Sequence, residues 1–443
     1  MKKSLLWLVV VLLSVSMIAT FSFAGCKKEE EAAVAPAEEE VAEEEAPAVE
    51  EEEPVTIIVT SWRTEDIDAM NAIDAIFMEE HPNIKVEFTP IKNTEYYAQL
   101  GTALQTGTGV PDVLIIHSYG PGLNIYKGGY LADLNDLMPE LSNLPPTVTG
   151  PWTKDGKIYG VPSRAVTHGI YYNKGIFDKY GLTEPKLWSD FIKICDTLKE
   201  NGETVISQGS KDGWTLYVMG YSGYGDNFYG GEASRQKVLA KEMKITDEPF
   251  IKAFEAMDSL TKYYPDGFQA IDYVGSTQLF VTGQAAIYIG GSWEIQPFKN
   301  AGMDFELGWF APPVVNEGDK LQYTWNPDQG VAMYKDTPYQ EEVLEYLKFC
   351  ATPEFVQAVL TYQPGFFGNI PGDYEIDPLA AKMLDATKNA DLTVTLTDEK
   401  LSDQEPAGSV LFYEACSKLA NGEFTPEQAA KHIQDGLDTW YFK

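Results

Sequence analysis

The chain has 443 residues, enough for at least two domains, and a formal net charge of −34 at pH 7. Residues 1–53 hold 4 Lys and 13 Glu, so the remaining residues carry −25. Such an acidic surface repels phosphate backbones and anionic headgroups, which argues against nucleic acid or a membrane surface as the partner. The 25 Tyr, 21 Phe and 9 Trp are numerous for a chain whose acidity already secures solubility. A small ligand that packs against aromatic rings fits this composition better.

The N-terminal residues have the pattern of an export signal. Two lysines precede an apolar run over 5–18, and Phe23-Ala24-Gly25-Cys26 resembles the bacterial lipobox, although Phe23 stands where that pattern usually has Leu. We therefore expect a signal peptide at 1–25 and lipid on Cys26. The alternative is an uncleaved anchor helix over 5–23, which is nearly long enough to span a bilayer. Both interpretations place the rest of the chain outside the cytoplasm.

An acidic segment follows the predicted cleavage site. Residues 29–53 consist only of Glu, Ala, Val and Pro, with no pattern that could bury a face. Their 13 Glu repel one another, as in other charged linkers. We expect residues 26–53 to form a disordered tether, with the folded part beginning at residue 54.

Strands and helices alternate from the start of the folded part. A β-branched run at 56–60 predicts a strand, and an apolar stripe over 67–80 predicts a helix. Alternation at 84–88, a helical pattern at 96–104 and a buried run at 113–116 continue the series. The order βαβαβ predicts a parallel sheet covered by helices, hence an α/β fold.

Two later segments carry the same helix-start signal. Thr337-Pro338-Tyr339-Gln340 and Thr425-Pro426-Glu427-Gln428 each offer a Thr N-cap, a Pro in the first turn and a capping-box Gln. Between them and the first strands, residues 221–229 mix Tyr and Gly with polar residues. That mixture predicts a loop, either facing a ligand or lying on the surface.

Cysteine and histidine spacing predicts neither a disulfide framework nor a metal site. With Cys26 lipidated, an odd number of cysteines remains, far apart and without CxxC spacing, so we expect buried free thiols. No histidine pair has metal-ligand spacing either, and we expect no cofactor or metal. The residues concerned are Cys195, Cys350, Cys416, His81, His117, His168 and His432.

Several segments in a fixed order carry a family resemblance. They read GKIYGVP, GIYYNK, IFDKYGL, FVTGQAAIY, GGSW and YKDTP, and they begin at residues 156, 169, 176, 280, 290 and 334. Together they resemble the family 1 extracellular solute-binding proteins of ABC importers, in particular the carbohydrate branch. The resemblance extends from about residue 56 to 440.

The resemblance implies the type II periplasmic-binding-protein fold, in which two α/β lobes are joined by several chain crossings and hold ligand between them. We expect crossings near 160–163, 305–313 and 365–371, each with Gly or Pro in the segment. The implied function is the extracytoplasmic substrate-binding component of an ABC importer, a lipid-anchored monomer that captures a sugar or short oligosaccharide by hinge closure and delivers it to the permease. The lobes are predicted at 54–163 plus 306–362 and at 164–305 plus 363–443.

A sugar site needs flat aromatic platforms and planar polar side chains, because a pyranose has apolar C–H faces and a rim of hydroxyls. Trp62, Arg63 and Glu65 follow the first predicted strand, and Ser118 and Tyr119 follow the third. Ligands of open α/β sheets bind at this carboxyl edge, so we predict that these side chains contact ligand. Trp62 as a core or hinge filler is the alternative.

The second group of candidates comes mostly from the resemblance. Trp293, in the Gly-Gly-Ser-Trp segment, resembles the family's aromatic platform, and Trp325 and Asp328 precede a predicted strand where the family often places a polar contact. Trp214 and Phe366 lie in segments that could line the cleft. A place in the core is the alternative for both.

Arg164 is one of only three arginines in the chain. A guanidinium can bind two vicinal hydroxyls or, more strongly, a carboxylate, which leaves an acidic sugar such as a uronide open. The alternative for Arg164 is a salt bridge across the hinge.

Two other classes of function remain as alternatives. A carbohydrate-active enzyme, either a glycoside hydrolase or a lyase, would use paired carboxylates, which the abundance of acidic residues permits. No GxSxG, HExxH or GxxxxGK[ST] motif is present, so we expect a protein that is not an enzyme. A sugar receptor that signals to a sensor is the other alternative.

Overall fold

A mixed β-sheet forms the centre of the computed structural model, which describes residues 54–443. Its strands pair in the order ten, six, nine, three, one, two; strands seven and eight also pair with strand six, and strand eleven with strand nine. The strands of the described residues are β1 (Val55–Thr60), β2 (Ile84–Phe88), β3 (Val113–His117), β4 (Thr153–Lys154), β5 (Lys157–Ile158), β6 (Val161–Asn173), β7 (Ile287–Gly291), β8 (Leu307–Phe310), β9 (Gln322–Met333), β10 (Phe367–Gly368) and β11 (Asp391–Thr393). β4 and β5 pair only with each other and form a separate two-stranded sheet.

Helices pack against this sheet. Their apolar faces are buried, as amphipathic helices packed on a sheet require. They are α1 (Ile67–Glu80), α2 (Tyr96–Thr106), α3 (Gly120–Lys127), α4 (Pro146–Thr149), α5 (Lys174–Lys179), α6 (Trp188–Glu200), α7 (Ser222–Tyr224), α8 (Asp226–Tyr229), α9 (Gly231–Leu239), α10 (Glu248–Thr261), α11 (Tyr273–Val281), α12 (Ile295–Asn300), α13 (Gln340–Phe349), α14 (Pro353–Tyr362), α15 (Pro378–Thr387), α16 (Gly408–Ala420) and α17 (Pro426–Asp438).

The first three strands form the predicted parallel arrangement. β1 pairs in parallel with β2, in register from Val55 opposite Ile84, and with β3, where Val59 lies opposite Val113. The predicted βαβαβ order is therefore confirmed. Parallel pairing places the loops that follow β1 and β3 at one edge of the sheet.

Two long antiparallel strands, β6 and β9, connect two parts of the sheet. One part contains β1, β2 and β3, and the other contains β7 and β8. β6 is buried along its whole length. Its first half pairs with β9 from Val161 opposite Val331 to Thr167 opposite Trp325, and its second half pairs with β7 and β8. β9 continues onto β3, where His117 lies opposite Gln329. β8, near which the sequence predicts the second crossing, pairs with the second half of β6, while β9 runs between the two parts.

Two hydrophobic cores pack on this framework. One surrounds β1, β2 and β3 and extends through the central strands to α12, α13 and α14. The other lies among α6, α10, α16 and α17 and reaches β7 and β8. The predicted domain boundaries remain a prediction.

The two predicted helix starts differ in outcome. At α17, Thr425 and Gln428 form the complete capping box, which confirms the prediction. At α13 the prediction was wrong, because the helix begins at Gln340 and its N-cap residue is Tyr339. The hydroxyl of Thr337 donates instead to Oδ1 of the buried Asp112 at 2.6 Å. A bond to the residue that precedes β3 thus takes the place of the N-cap bond, and the Thr337 hydroxyl accepts locally only the N–H of Tyr339, at 3.2 Å.

The prediction of a loop at 221–229 was wrong. A π-helical segment over Leu216–Tyr221 leads into α7 and α8. The tyrosines at 221, 224 and 229, which lie in this segment, in α7 and in α8, are buried in the second core. Burial of these three large rings stabilises the helical conformation by more than the Gly and Ser residues destabilise it through their low helix propensity.

The three cysteines at 195, 350 and 416 are free and buried, as predicted. Within residues 54–443, no helix is long and apolar enough to cross a bilayer. The predicted signal peptide, lipidated Cys26 and tether lie outside the described residues.

Candidate functional site

The loop after β1 places Trp62 against His117, the last residue of β3. Their rings stack with centroids 3.6 Å apart and planes inclined by 18°. The hydroxyl of Tyr97 accepts the backbone N–H of His117 at 3.0 Å and lies 2.7 Å from its Nδ1. Burial, assisted by the charge of Arg63, lowers the pKa of His117 to about 3, so the imidazole is neutral at physiological pH. The result is a rigid, uncharged aromatic stack at the sheet edge.

Arg63, the next residue, is fixed by its own neighbours. Its Nε lies 2.7 Å from Asp66 Oδ2, and its Nη1 lies 3.1 Å from Glu65 Oε1. The guanidinium also lies over the ring of Phe366, 4.9 Å from the centroid. Burial works to lower the pKa of Arg63, but the two carboxylates outweigh it and hold the pKa well above its ordinary value. Arg63 is therefore a permanent cation whose charge is largely compensated.

The loop after β3 is tied to β9. Ser118 Oγ donates to the carbonyl of Pro327 at 2.6 Å, and its N–H donates to the carbonyl of Asp328 at 3.2 Å. Tyr119 then turns the chain with φ 52°, a conformation that L side chains adopt at a cost. The half-buried Asp328 carboxyl has its pKa raised to about 6 by burial, while Arg63 opposes the shift. Ser118, Tyr119 and Asp328 thus share one rim with Trp62.

Trp293 and its motif belong to the other part of the sheet, at the end of β7. The indole Nε1 donates to Glu294 Oε1 at 3.0 Å, and Tyr288 donates to the same oxygen at 3.0 Å. Gly291 is required here, because a Cβ at that position would lie 2.0 Å from the Trp293 ring. The indole is 8% exposed and meets His168 edge-on at 5.3 Å.

Glu294 links Trp293 to the loop after β1. Its side chain is fully buried and its Oε2 has no hydrogen-bond partner. Burial raises the pKa of Glu294 to about 7, and the charge of Arg63 works against the shift. Burial is the main cause that raises the pKa of Tyr273, at the start of α11, and the negative charges of Glu294 and Glu65 raise it further. The two parts of the sheet therefore approach one another around Arg63.

Two further candidates lie at the margins of this arrangement. Trp214 is half-buried and packs on Tyr273, with centroids 5.1 Å apart. Trp325 is half-buried on β9 and packs on Phe367 of β10 at 5.0 Å. Both are more exposed than Phe366, which is 2% exposed beneath Arg63.

Arg164 lies under the site. It has no exposed surface, its Nε donates to Gln363 Oε1 at 2.9 Å, and its guanidinium lies 5.1 Å from the centre of Phe355. Gln363 in turn donates to Asp66 Oδ2 at 2.7 Å. Burial lowers the pKa of Arg164 from its ordinary value. Arg164 is thus joined to Arg63 through Gln363 and Asp66, and direct contact with a ligand remains a prediction.

Sequence reasoning missed a third segment, which precedes α16. Asp398 lies there with a buried Oδ2 that has no hydrogen-bond partner. Burial raises the pKa of Asp398 to about 7; Arg235 opposes this shift and Asp328 adds to it. Burial and then the charge of Asp398 raise the pKa of Tyr119, so this segment faces the loop after β3. No local motif identifies Asp398, because only the fold brings it to the site.

Contacts between this segment and α3 bring the two parts of the molecule together. Ser402 lies 3.1 Å from where a Cβ on Gly120 would be. Lys127, at the end of α3, is 3.8 Å from Asp403. Among the described residues, no group of three His, Cys, Asp or Glu is arranged to hold a metal ion.

Residues 61–357 match the family of bacterial extracellular solute-binding proteins. The chain belongs to this family, and the predicted resemblance is confirmed.

Among relatives, the multiple sugar-binding protein of Streptococcus mutans is 25% identical over 87% of this chain and 90% of its own. The melibiose/raffinose/stachyose-binding protein MelE of Bacillus subtilis is 24% identical over 72% of this chain and 75% of its own. A sugar transporter from Bacillus licheniformis, solved with stachyose, superposes with a TM-score of 0.68 at 20% identity, covering 86% and 98% of the two chains. The predicted two-lobed α/β fold of the type II periplasmic-binding class is confirmed.

Proposed function

We propose that the protein is the substrate-binding component of an ABC importer and captures a sugar or short oligosaccharide between its two lobes. The observation that carries this proposal is the two-sided arrangement of the site. The Trp62–His117 stack and Asp328 lie beside the loops that follow β1 and β3, and Trp293 lies just after β7 in the other part of the sheet. Indole faces and carboxylate oxygens are the groups that pyranose C–H faces and hydroxyls need. The names of the two bacterial relatives support the same class of ligand.

The charges of the site favour a ligand without a carboxylate. The three arginines are engaged: Arg63 by Glu65 and Asp66, Arg235 by Glu232 and Glu399, and Arg164 by Gln363. The carboxyls of Asp328 and Asp398 would repel a uronide at neutral pH. We therefore place acidic sugars below uncharged ones.

Binding would proceed by closure. A sugar would first contact one lobe and then stabilise the closed form, because contacts from both lobes exist only when the lobes meet. The predicted contacts are Trp62, Arg63, Glu65, Ser118, Tyr119, Trp214, Trp293, Trp325, Asp328 and Phe366, with Arg164 supporting them. Affinity in the micromolar range, about −8 kcal/mol, would permit release to the permease.

The remaining parts of the proposal concern location and chemistry. We infer a lipid anchor on Cys26, an extracytoplasmic monomer and a membrane permease as the protein partner. The site would bind sugar without converting it. No observation on the structure favours a sensor receptor over an importer component.

A thermal-shift screen of mono- and oligosaccharides, with uronides included, tests this proposal, since a ligand that binds the folded state raises the unfolding temperature. We expect neutral oligosaccharides to raise it and uronides to leave it unchanged. Chromatography of each sugar after incubation would reveal turnover. A screen in which no sugar shifts the unfolding temperature, or one in which sugar is converted, would overturn the proposal.

A further inference from the structure

The two rings stacked at the ends of β1 and β3 differ in exposure. Trp62 is 5% exposed, whereas His117 is half-buried. Their planes are nearly parallel and their centroids are 3.6 Å apart, so one face of each ring is closed to a ligand by the other ring. A ligand at the carboxyl edge of the sheet can therefore reach His117 more readily than Trp62.

Tyr97 determines which nitrogen of His117 carries the proton. The Tyr97 hydroxyl oxygen accepts the backbone N–H of His117 at 3.0 Å and lies 2.7 Å from Nδ1. This hydroxyl has no other hydrogen-bond partner among residues 54–443, so its own proton finds an acceptor only when Nδ1 is unprotonated. The single proton of a neutral imidazole then lies on Nε2.

Nε2 of His117 is therefore an unused donor. Within the described part of the chain it has no hydrogen-bond partner. Both ring nitrogens of His168 also lack a partner but are buried, whereas Nε2 of His117 retains exposed surface. Burial and the charge of Arg63 keep the imidazole of His117 uncharged. An uncharged N–H at the edge of the site suits an uncharged acceptor, such as a hydroxyl, ring or glycosidic oxygen of a saccharide.

We propose that His117 is a specificity-determining residue that donates its Nε2–H to an oxygen of the bound saccharide, and that Tyr97 is the positioning residue that holds this tautomer. This inference rests on the proposed function and adds a contact to it. The saccharide must offer an oxygen with a free lone pair to His117. A saccharide without that oxygen would leave the N–H unpaired in the closed site and would bind more weakly.

Selective ¹⁵N labelling of histidine tests the tautomer, because the chain has only four histidines. The signals of His117 are identified by their loss in His117→Phe. Long-range ¹H–¹⁵N correlation should show a protonated Nε2 and an unprotonated Nδ1 in the ligand-free protein. Tyr97→Phe removes the proton that Nδ1 accepts, so we expect part of the population to change tautomer. A protonated Nδ1 in the wild type would overturn the proposal.

Isothermal titration tests the contact with saccharide. The probes are raffinose, stachyose, maltotriose and xylotriose, together with any other uncharged saccharide that raises the unfolding temperature in the thermal-shift screen. We expect His117→Phe, which keeps a stacked ring but has no N–H, to raise the dissociation constant of the tightest probe about tenfold, as loss of one hydrogen bond does. Tyr97→Phe should raise it by a smaller factor. Binding should also shift the Nε2–H resonance of the wild type.

His81→Phe is the matched control. His81 is also half-buried and stacks on an aromatic ring, that of Phe77 at 4.4 Å, but it precedes β2 at the opposite edge of the sheet. This variant should bind the probe with unchanged affinity. If His117→Phe binds as tightly as the wild type, or if the Nε2–H resonance does not respond to the probe, the inference fails while the proposed function stands. If no saccharide binds the wild type in the titration or the thermal screen, the proposed function fails as well.

Discussion

Trp293 owes its position to the residue two places before it. Since any side chain at Gly291 would occupy the space of the indole ring, the Gly-Gly-Ser-Trp segment is a steric arrangement and not merely a turn. Glu294 then holds the indole through its N–H. Both ring position and ring orientation are fixed before a ligand arrives, which reduces the entropy lost on binding.

Replacing Trp293 by Ala removes the proposed platform. We expect the dissociation constant for the best saccharide to rise at least about thirtyfold, equivalent to about 2 kcal/mol. Isothermal titration measures the effect. Trp440→Ala is the control, because Trp440 is a half-buried indole on the C-terminal segment whose Nε1 bonds to Pro406. Equal affinities for wild type and the Trp293 variant would show that the indole is only a core residue.

Gly291→Ala tests the steric argument separately. The added methyl group must displace the Trp293 ring, so we expect sugar affinity to fall by about as much as it does in Trp293→Ala. Gly101→Ala is the matched control, since a Cβ at that helical position meets nothing within 4 Å. Affinity measured by titration should be unchanged in the control. An unchanged affinity in Gly291→Ala would contradict the proposed role of the ring.

Local pattern was enough to predict some of these residues but not others. Trp62 and Ser118 were predicted because each follows a strand that its own apolar run reveals, and their contact with a ligand remains a prediction. Asp398 was missed, because it lies far along the chain and no local signal marks it; its proximity to Asp328 exists only in the folded protein. Thr337 was misjudged for the same reason, since the side chain that captures it, Asp112, is 225 residues away.

At the scale of elements, one side-chain network joins α1, α14 and β6. Gln363, at the end of α14, accepts from Arg164 and donates to Asp66, which in turn holds Arg63. All four side chains are buried. The network therefore couples the site loop after β1 to the strand that passes between the two parts of the sheet.

Replacing Gln363 by Leu should destabilise the protein by about 3 kcal/mol, because Arg164 loses its acceptor and Asp66 a donor in a buried environment. Urea unfolding monitored by tryptophan fluorescence measures the change. Thr361→Ala, on the exposed side of the same helix, should change the stability by less than about 0.5 kcal/mol. A Gln363 variant as stable as this control would show that the network contributes little.

At the scale of the whole molecule, buried acids set the pH dependence of stability. Burial raises the pKa of Asp74, Asp226, Glu294 and Asp398 to about 7 and that of Asp328 to about 6. Between pH 4 and these values each of these five acids binds more protons in the folded state than in the unfolded chain, so its contribution to stability falls as pH rises. The buried His117 and His168, whose pKa values burial lowers to about 3 and about 4, act in the opposite direction below about pH 6.5, but they are fewer. The high net negative charge adds repulsion in the same direction.

We therefore expect the unfolding temperature of the ligand-free protein to decrease steadily from pH 5 to pH 8, as measured by calorimetry. Asp328→Asn should raise it at pH 8 and have little effect at pH 5, because the amide removes a charge that exists only at the higher pH. Asp391→Asn, an exposed carboxyl paired with Lys320, should not produce this pH-dependent gain. An unfolding temperature that rises between pH 5 and pH 8 would contradict the assignment.

The two-lobed architecture was predictable as a whole, because the βαβαβ order and the family segments pointed to one fold. The position of the second crossing was harder to predict. β8 is short and apolar and resembles a connection, whereas β9 is long and contains Pro327, which argues against a central strand in sequence reasoning. Pairing of β9 with both β3 and β6 is a long-range property.

A crystal structure with the saccharide that binds best in the screen tests the central claim most directly. We predict one sugar chain in contact with Trp62 or Asp328 from one side and with Trp293 or Asp398 from the other. A sugar bound elsewhere on the molecule, or held by residues of a single lobe in a closed structure, would contradict it.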